Sequence, residues 1–122
     1  MQEGTVGRRY ARALALALEG APEDRLTRIE QQLSAVGKAL DRRGGEQALR
    51  QAMFNPGFSP EQRRAVLTGI ATAHSFDEAA TSFLVLLIDK GRLAQLPSIA
   101  HAFRAEVDAR IGRVRATIVT AK

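Results

Sequence analysis

Between Pro22 and Gly44-Gly45 the apolar residues Leu26, Ile29, Leu33, Val36 and Leu40 recur at intervals of three, four, three and four. That spacing puts all five on one side of an α-helix but on both faces of a β-strand, so the segment reads as an amphipathic helix from about Pro22 to Arg43. Pro22-Glu23-Asp24 suit its positive N-terminal end, Arg42-Arg43 suit the negative C-terminal end, and the glycine pair stops it. Similar punctuation divides the rest of the chain. A first helix runs from about Thr5, its expected N-cap, to Glu19 and stops at Gly20-Ala21-Pro22. A short third helix, about Glu46 to Met53, ends before the turn Asn55-Pro56-Gly57. Ser59-Pro60-Glu61-Gln62 opens a fourth as a capping box with proline at the first helical position, and Val66, Leu67 and Ile70 are expected to face its core. A fifth spans about Asp77 to Lys90 and closes at Gly91. A sixth starts near Pro97, buries Ile99, Phe103, Val107 and Ile111, and is expected to end at Gly112. After it, Arg113–Thr120 is rich in β-branched residues with partial alternation and reads as a strand.

The expected fold is therefore all-α: a six-helix bundle over residues 1–112, followed over 113–122 by the first strand of a truncated second domain. A chain of 122 residues can bury a core without covalent staples. Its apolar residues are mostly Ala and Leu with no Trp, which favours close helix packing. The absence of cysteine excludes disulfides, thiol catalysis and cysteine-ligated metals.

Two helices carry more apolar surface than one core contact needs. On the first, Val6, Tyr10, Ala13 and Ala17 form one stripe at about 100° per residue, with Ala11, Leu14 and Leu18 beside it. On the fifth, Ala79, Phe83, Leu86 and Lys90 lie along one line with Ser82 at its edge, and Ala80, Leu84, Leu87 and Ile88 widen the arc. A surface helix usually buries a single stripe roughly 100° wide. Each of these two is therefore either enclosed by neighbours or open to an amphipathic helix from another chain.

The net charge of +5 admits nucleic acid or an anionic membrane as a partner. However, the basic residues are scattered as Arg8/Arg9/Arg12, Arg25/Arg28, Arg42/Arg43, Arg63/Arg64 and Arg110/Arg113/Arg115, and no aromatic residues alternate with them to stack bases. A solvated basic surface is the preferred reading; a basic helical nucleic-acid-binding module stands as the alternative. The longest apolar runs, Ala13–Leu18 and Phe83–Ile88, fall far short of the ~20 residues of a membrane span. Arg8-Arg9 before an Ala/Leu stretch mimics a targeting signal, but Arg12 interrupts it and Glu19 ends it, so no cleaved signal is expected.

Residues for catalysis are sparse. His74 reads as the end of the fourth helix and His101 as a surface residue; neither has carboxylates at metal-ligand spacing. Glu106 and Asp108, two apart on a helix, point in different directions. There is no phosphate-binding glycine loop and no metalloprotease motif. The expectation is a protein without catalytic residues, metal or cofactor.

Four segments then carry a resemblance. Val6-Gly7-Arg8-Arg9-Tyr10-Ala11-Arg12-Ala13-Leu14 resembles the opening helix of the delta subunit of F-type ATP synthases, the family of the mitochondrial oligomycin-sensitivity-conferring protein. Asp89-Lys90-Gly91-Arg92-Leu93-Ala94-Gln95-Leu96-Pro97-Ser98-Ile99 resembles that family's E-N-G-R-L-x-x-L-P-x-I signature. Asn55-Pro56 is similar to its N-P turn, and Arg113-Val114-Arg115-Ala116 to the start of its second domain. Gly7 departs from the usual alanine, loosening the first helix, and Asp89-Lys90 departs from Glu-Asn. The resemblance implies a six-helix N-terminal domain that acts as a non-catalytic connector in the peripheral stalk, keeping the catalytic head from turning with the rotor. It implies that the N-terminal helix of an alpha subunit docks against the first and fifth helices. By motif position the docking residues are Tyr10, Ala13, Ser82 and Leu86; helical periodicity adds Val6, Ala17, Ala79, Phe83 and Lys90. It further implies contact with the b-subunit stalk through the missing C-terminal domain, no nucleic-acid partner, and a place on the cytoplasmic face of the bacterial inner membrane, reached only through the complex.

Overall fold

The computed structural model describes the backbone of residues 2–120 and the side chains of residues 4–113. Among these residues six α-helices follow one another: α1 (Gln2–Ala17), α2 (Glu23–Ala39), α3 (Gln47–Phe54), α4 (Pro60–Ala73), α5 (Glu78–Asp89) and α6 (Leu96–Thr120), with a 3-10 turn at Leu93–Gln95 before the last. The all-α bundle read from periodicity is the fold.

α6 is its axis. It packs along α1 on one side and α2 on the other, while α5 packs against α4 and α2. Ile99 and Phe103 of α6 are fully enclosed and meet the α2 stripe of Leu26, Ile29 and Leu33, also closed to solvent. No polar or charged residue belongs to this interior among the described residues. Ile111, expected in the core, is only half-buried at its margin.

Local chemistry explains most helix ends. Ser59 caps α4 reciprocally: its Oγ accepts from the Gln62 N–H at 3.1 Å while the Ser59 N–H donates to Gln62 Oε1 at 2.8 Å. Asp77 caps α5, accepting from the Ala79 N–H at 2.8 Å. His74 ends α4, as read.

Several expectations are corrected. α1 already begins at Gln2, so Thr5 lies within the helix and is not its cap. α2 stops at Ala39 rather than Arg43. The following loop turns back so tightly that the Glu46 N–H donates to the Ala39 carbonyl at 2.7 Å. A Cβ on Gly45 would collide with the Ala39 and Asp41 carbonyl oxygens, so only glycine allows this return. Val66 is exposed, because α4 turns Leu67 and Ala71 toward its neighbours and leaves Val66 at the edge. Finally, α6 does not end at Gly112: the backbone is helical to Thr120, and no strand occurs among the described residues. Gly112 has open space around it, so nothing forces a turn there. No other strand lies among the described residues to pair with this segment, whereas each residue added to an existing helix gains a hydrogen bond.

Candidate functional site

α1 and α5 each bury one face and leave the next uncovered. On α1 the buried face is Ala11, Leu14, Ala15 and Leu18. Gly7 sits against Ser98 of α6 closely enough that a Cβ would lie 2.5 Å from the Ser98 Oγ. At the other end of α1, Arg110 of α6 donates from Nη2 to the Ala15 carbonyl at 2.6 Å and from Nη1 to the Leu18 carbonyl at 3.0 Å. These carbonyls lie in and just beyond the last helical turn, where the Leu18 N–H (3.3 Å) and the Ala21 N–H (3.0 Å) also donate to them, so Arg110 supplies each with a second bond. α1 is thus fastened to α6 at both ends, which fixes the direction of its outer face.

α5 is held equally firmly at its start. The Asp77 carboxylate, 7% exposed, accepts two hydrogen bonds from Arg25 of α2, at 2.9 and 3.1 Å, and has Arg28 at 3.5 Å. The Asp77 N–H donates to Gln32 Oε1 at 2.9 Å. The Arg25 hydrogen bonds hold the Asp77 carboxyl below the usual carboxylate range; the Ala79 N–H and the positive charges of Arg25 and Arg28 add to this, against the opposing effect of burial. The same pairing raises Arg25. Ala80, Phe83, Leu84, Leu87 and Ile88 then face the core.

The two helices are tied together by one ring pair. Tyr10 meets Phe83 edge-on, with centroids 6.5 Å apart and planes at 67°, an arrangement that aromatic quadrupoles favour. Phe83 is only 6% exposed, so it forms the floor between α1 and α5 rather than an open anchor. Around this floor the other expected residues divide by helix. Val6 and Tyr10 are half-buried while Ala13 and Ala17 are open on α1; Ala79 is half-buried, and Ser82 and Leu86 are open, on α5. Lys90 is the exposed C-cap of α5 and stands at the far end of the strip. Enclosure by neighbours accounts for most of the α5 arc, of which Leu86 stays open and Ala79 half-open, whereas on α1 the stripe of Ala13 and Ala17 remains uncovered.

Leu86 is 41% exposed and Leu16 63%. Leu16 lies inside the Ala13–Leu18 run but about 60° round the helix from Ala13, on the side that Arg9 and Arg12 occupy, and so stands outside the strip. Fully burying a leucine is worth about 1.5–3 kcal/mol, so covering the exposed fraction of Leu86 supplies roughly 1 kcal/mol. Apart from Lys90 at its far end the strip is small, uncharged and apolar, with Ser82 as its polar edge. Its chemistry suits an amphipathic helix laid between α1 and α5, with the small Ala13 and Ala17 allowing close approach.

The described residues include no cluster of His, Asp or Glu able to hold a metal. None of their helices is long and apolar enough to cross a membrane.

Comparison with known proteins adds a family. The family model described as ATP synthase delta (OSCP) subunit matches residues 6–122. A protein of Anaeromyxobacter dehalogenans (strain 2CP-C) named ATP synthase subunit delta is 38% identical over 122 residues, covering 99% of this chain and 65% of the relative. Proteins of the same name from Oleidesulfovibrio alaskensis and Geobacter metallireducens are 38% and 30% identical over 121 residues, covering 99% of this chain and 64% of each relative. The chain spans about two-thirds of the length of these curated relatives, 65% in the first case.

Proposed function

The chain belongs to the ATP synthase delta (OSCP) subunit family, and from that premise we propose that it is a non-catalytic peripheral-stalk subunit of a proton-translocating F-type ATP synthase. In this reading the strip between α1 and α5 receives the N-terminal helix of an alpha subunit and so fastens the stalk to the catalytic head. Residues 113–122 lead into a second domain, which carries the contact with the b-subunit stalk. The complex holds the protein at the cytoplasmic face of the bacterial inner membrane.

The observation that carries the reading is the Tyr10–Phe83 floor with Leu86 and the small Ala13 and Ala17 open beside it. A stator joint must dissociate slowly under torque, and apolar anchors over a closed floor lower the off-rate more than rim charges do. Each proposed docking residue then has a physical role. Ala13 and Ala17 let the incoming backbone approach. Tyr10 offers flat area and a hydroxyl at the rim. Leu86 and Val6 supply apolar contact beside Ala79, Ser82 supplies a hydrogen bond at the helix edge, and Lys90 is a rim charge of small effect.

The test is a titration with a peptide of the alpha subunit's N-terminal helix, read by amide chemical shifts. Shifts clustered on residues 5–19 and 77–90 are expected. Ala13→Asp should abolish them while leaving thermal unfolding unchanged, because residue 13 is open. Saturable binding with shifts confined to other helices would refute the site, and no binding at high peptide concentration would refute the docking role.

A further inference from the structure

Basic residues that lie far apart along the chain are gathered onto one side of the bundle. Lys38 on α2, Arg42 and Arg43 in the α2–α3 loop, Arg50 on α3 and Arg104 on α6 line one cleft of about 870 Å³. His101 borders it and also borders the adjoining hollow, whose other wall is the arginine edge of α1: Arg8, Arg9 and Arg12. The two hollows hold eight Lys and Arg side chains against three carboxylates, Glu30, Asp41 and Glu106. That excess of five is as large as the net charge of the whole chain.

The charges are not spent on internal pairing. Among the described residues, Lys38, Arg42 and Arg104 make neither an ion pair nor a side-chain hydrogen bond. Arg50 donates to the Leu40 carbonyl at 2.9 Å and lies 5.8 Å from the centre of the Phe54 ring, which fixes its guanidinium at the cleft wall. A concave surface with unpaired charge of one sign focuses its field outward and draws in the opposite charge.

The cleft floor decides which anion fits. It is apolar, made by Leu40, Leu93, Pro97, Ala100 and the Phe54 ring, which is 36% exposed. A bare polyanion gains nothing from such a floor. Glu30 and Asp41 in the wall repel phosphates but accept the occasional cation of a polypeptide. We infer that this cleft binds an acidic amphipathic segment of a partner protein. Its carboxylates pair with Arg42, Arg43 and Arg104, since guanidinium forks match carboxylate geometry. Its apolar side chains rest on the Phe54 floor. None of the residues assigned to the α1–α5 strip lines this cleft, so it is a second docking surface, independent of the first.

A fluorescein-labelled helical peptide of glutamate and leucine, titrated into the full chain, tests the assignment. Saturable binding is expected, weakening roughly tenfold or more between about 50 and 200 mM salt. Amide shifts should centre on Lys38, Arg42, Arg50 and Arg104. The double variant Arg42→Glu/Arg104→Glu changes two exposed side chains; it should keep its circular dichroism and lose affinity by roughly a hundredfold. Undiminished affinity in that variant would overturn the inference. So would stronger binding of a mixed-sequence oligonucleotide or of phosphatidylglycerol vesicles, or shifts confined to α1 and α5. The alpha-subunit helix peptide is titrated into the same two proteins and should bind both equally, which separates the fate of this site from that of the strip.

Discussion

Replacing Gly7 by alanine probes the closest approach between α1 and α6, and two opposing effects decide its sign. Alanine is preferred to glycine in a helix interior by about 0.8–1 kcal/mol. Against that, the new Cβ would lie 2.5 Å from the Ser98 Oγ and 3.2 Å from the Ser98 carbonyl carbon and oxygen. The Ser98 hydroxyl can swing aside. Its backbone cannot, because it follows Pro97 in the first turn of α6, and Arg110 fastens the other end of α1 to the same helix. Overpacking of this kind costs about 1–3 kcal/mol. Gly7→Ala is therefore expected to lower stability by about 1 kcal/mol, or roughly 3–6 °C in Tm for a domain of this size. Thermal and urea unfolding followed by circular dichroism measure it. Adding Ser98→Gly removes the Oγ contact but not the backbone one, so the double variant should recover only part of the loss. A rise in Tm on Gly7→Ala would refute the reasoning: helix propensity would then have won, and α1 would not be pinned at Ser98. Glycine here is thus not a loosening of the first helix but the condition for its seat on α6.

Further outcomes follow from single contacts. Arg110→Ala removes two charge-assisted bonds to the Ala15 and Leu18 carbonyls, and should cost about 1–2 kcal/mol and speed amide exchange at the end of α1; unchanged exchange there would show that water satisfies these carbonyls equally well. Asp77 has its carboxyl lowered chiefly by the Arg25 hydrogen bonds, so its contribution is complete above about pH 4, the unfolded value, and is lost as pH falls through the lowered folded value. Asp77→Asn, which keeps an oxygen for the Ala79 cap, should reduce stability at neutral pH and flatten the acid limb of a urea-midpoint profile; an acid limb identical to that of the parent would refute the pairing. Leu86→Ser should leave Tm nearly unchanged while weakening the alpha-helix peptide roughly tenfold, whereas Phe83→Ala should cost about 3 kcal/mol of stability because that ring is buried.

Much of the fold was legible because it rests on short-range chemistry. The three-four spacing of α2, the Ser59–Gln62 capping box and the Gly91 stop all act within a few residues, and each appears where it was read. The misses come from contacts that sequence distance hides. Arg42-Arg43 have the right charge for a helix end, yet α2 stops earlier because Gly45 lets the chain return onto Ala39. The β-branched residues after Gly112 suggested a strand, but β-propensity expresses packing against neighbouring strands, and none is present among the described residues to outweigh continuation of the helix.

The candidate site shows the same division at the level of side chains. Periodicity placed Phe83 and Leu86 on one arc of α5, and nothing in their spacing tells them apart. The neighbours do: Tyr10 and the core close over Phe83, leaving it 6% exposed, while Leu86, 60° round the helix, remains 41% exposed. Apolar spacing predicts a face, and the packing partner determines which part of that face stays open. The basic cleft reverses the case. Its arginines, scattered along the chain, argued against a charged site, because charge density is a property of surface and not of sequence order. α6 runs between α1 and α2, so it brings the arginine edge of one beside the basic end of the other. The helix that organises the core thereby also concentrates the charge.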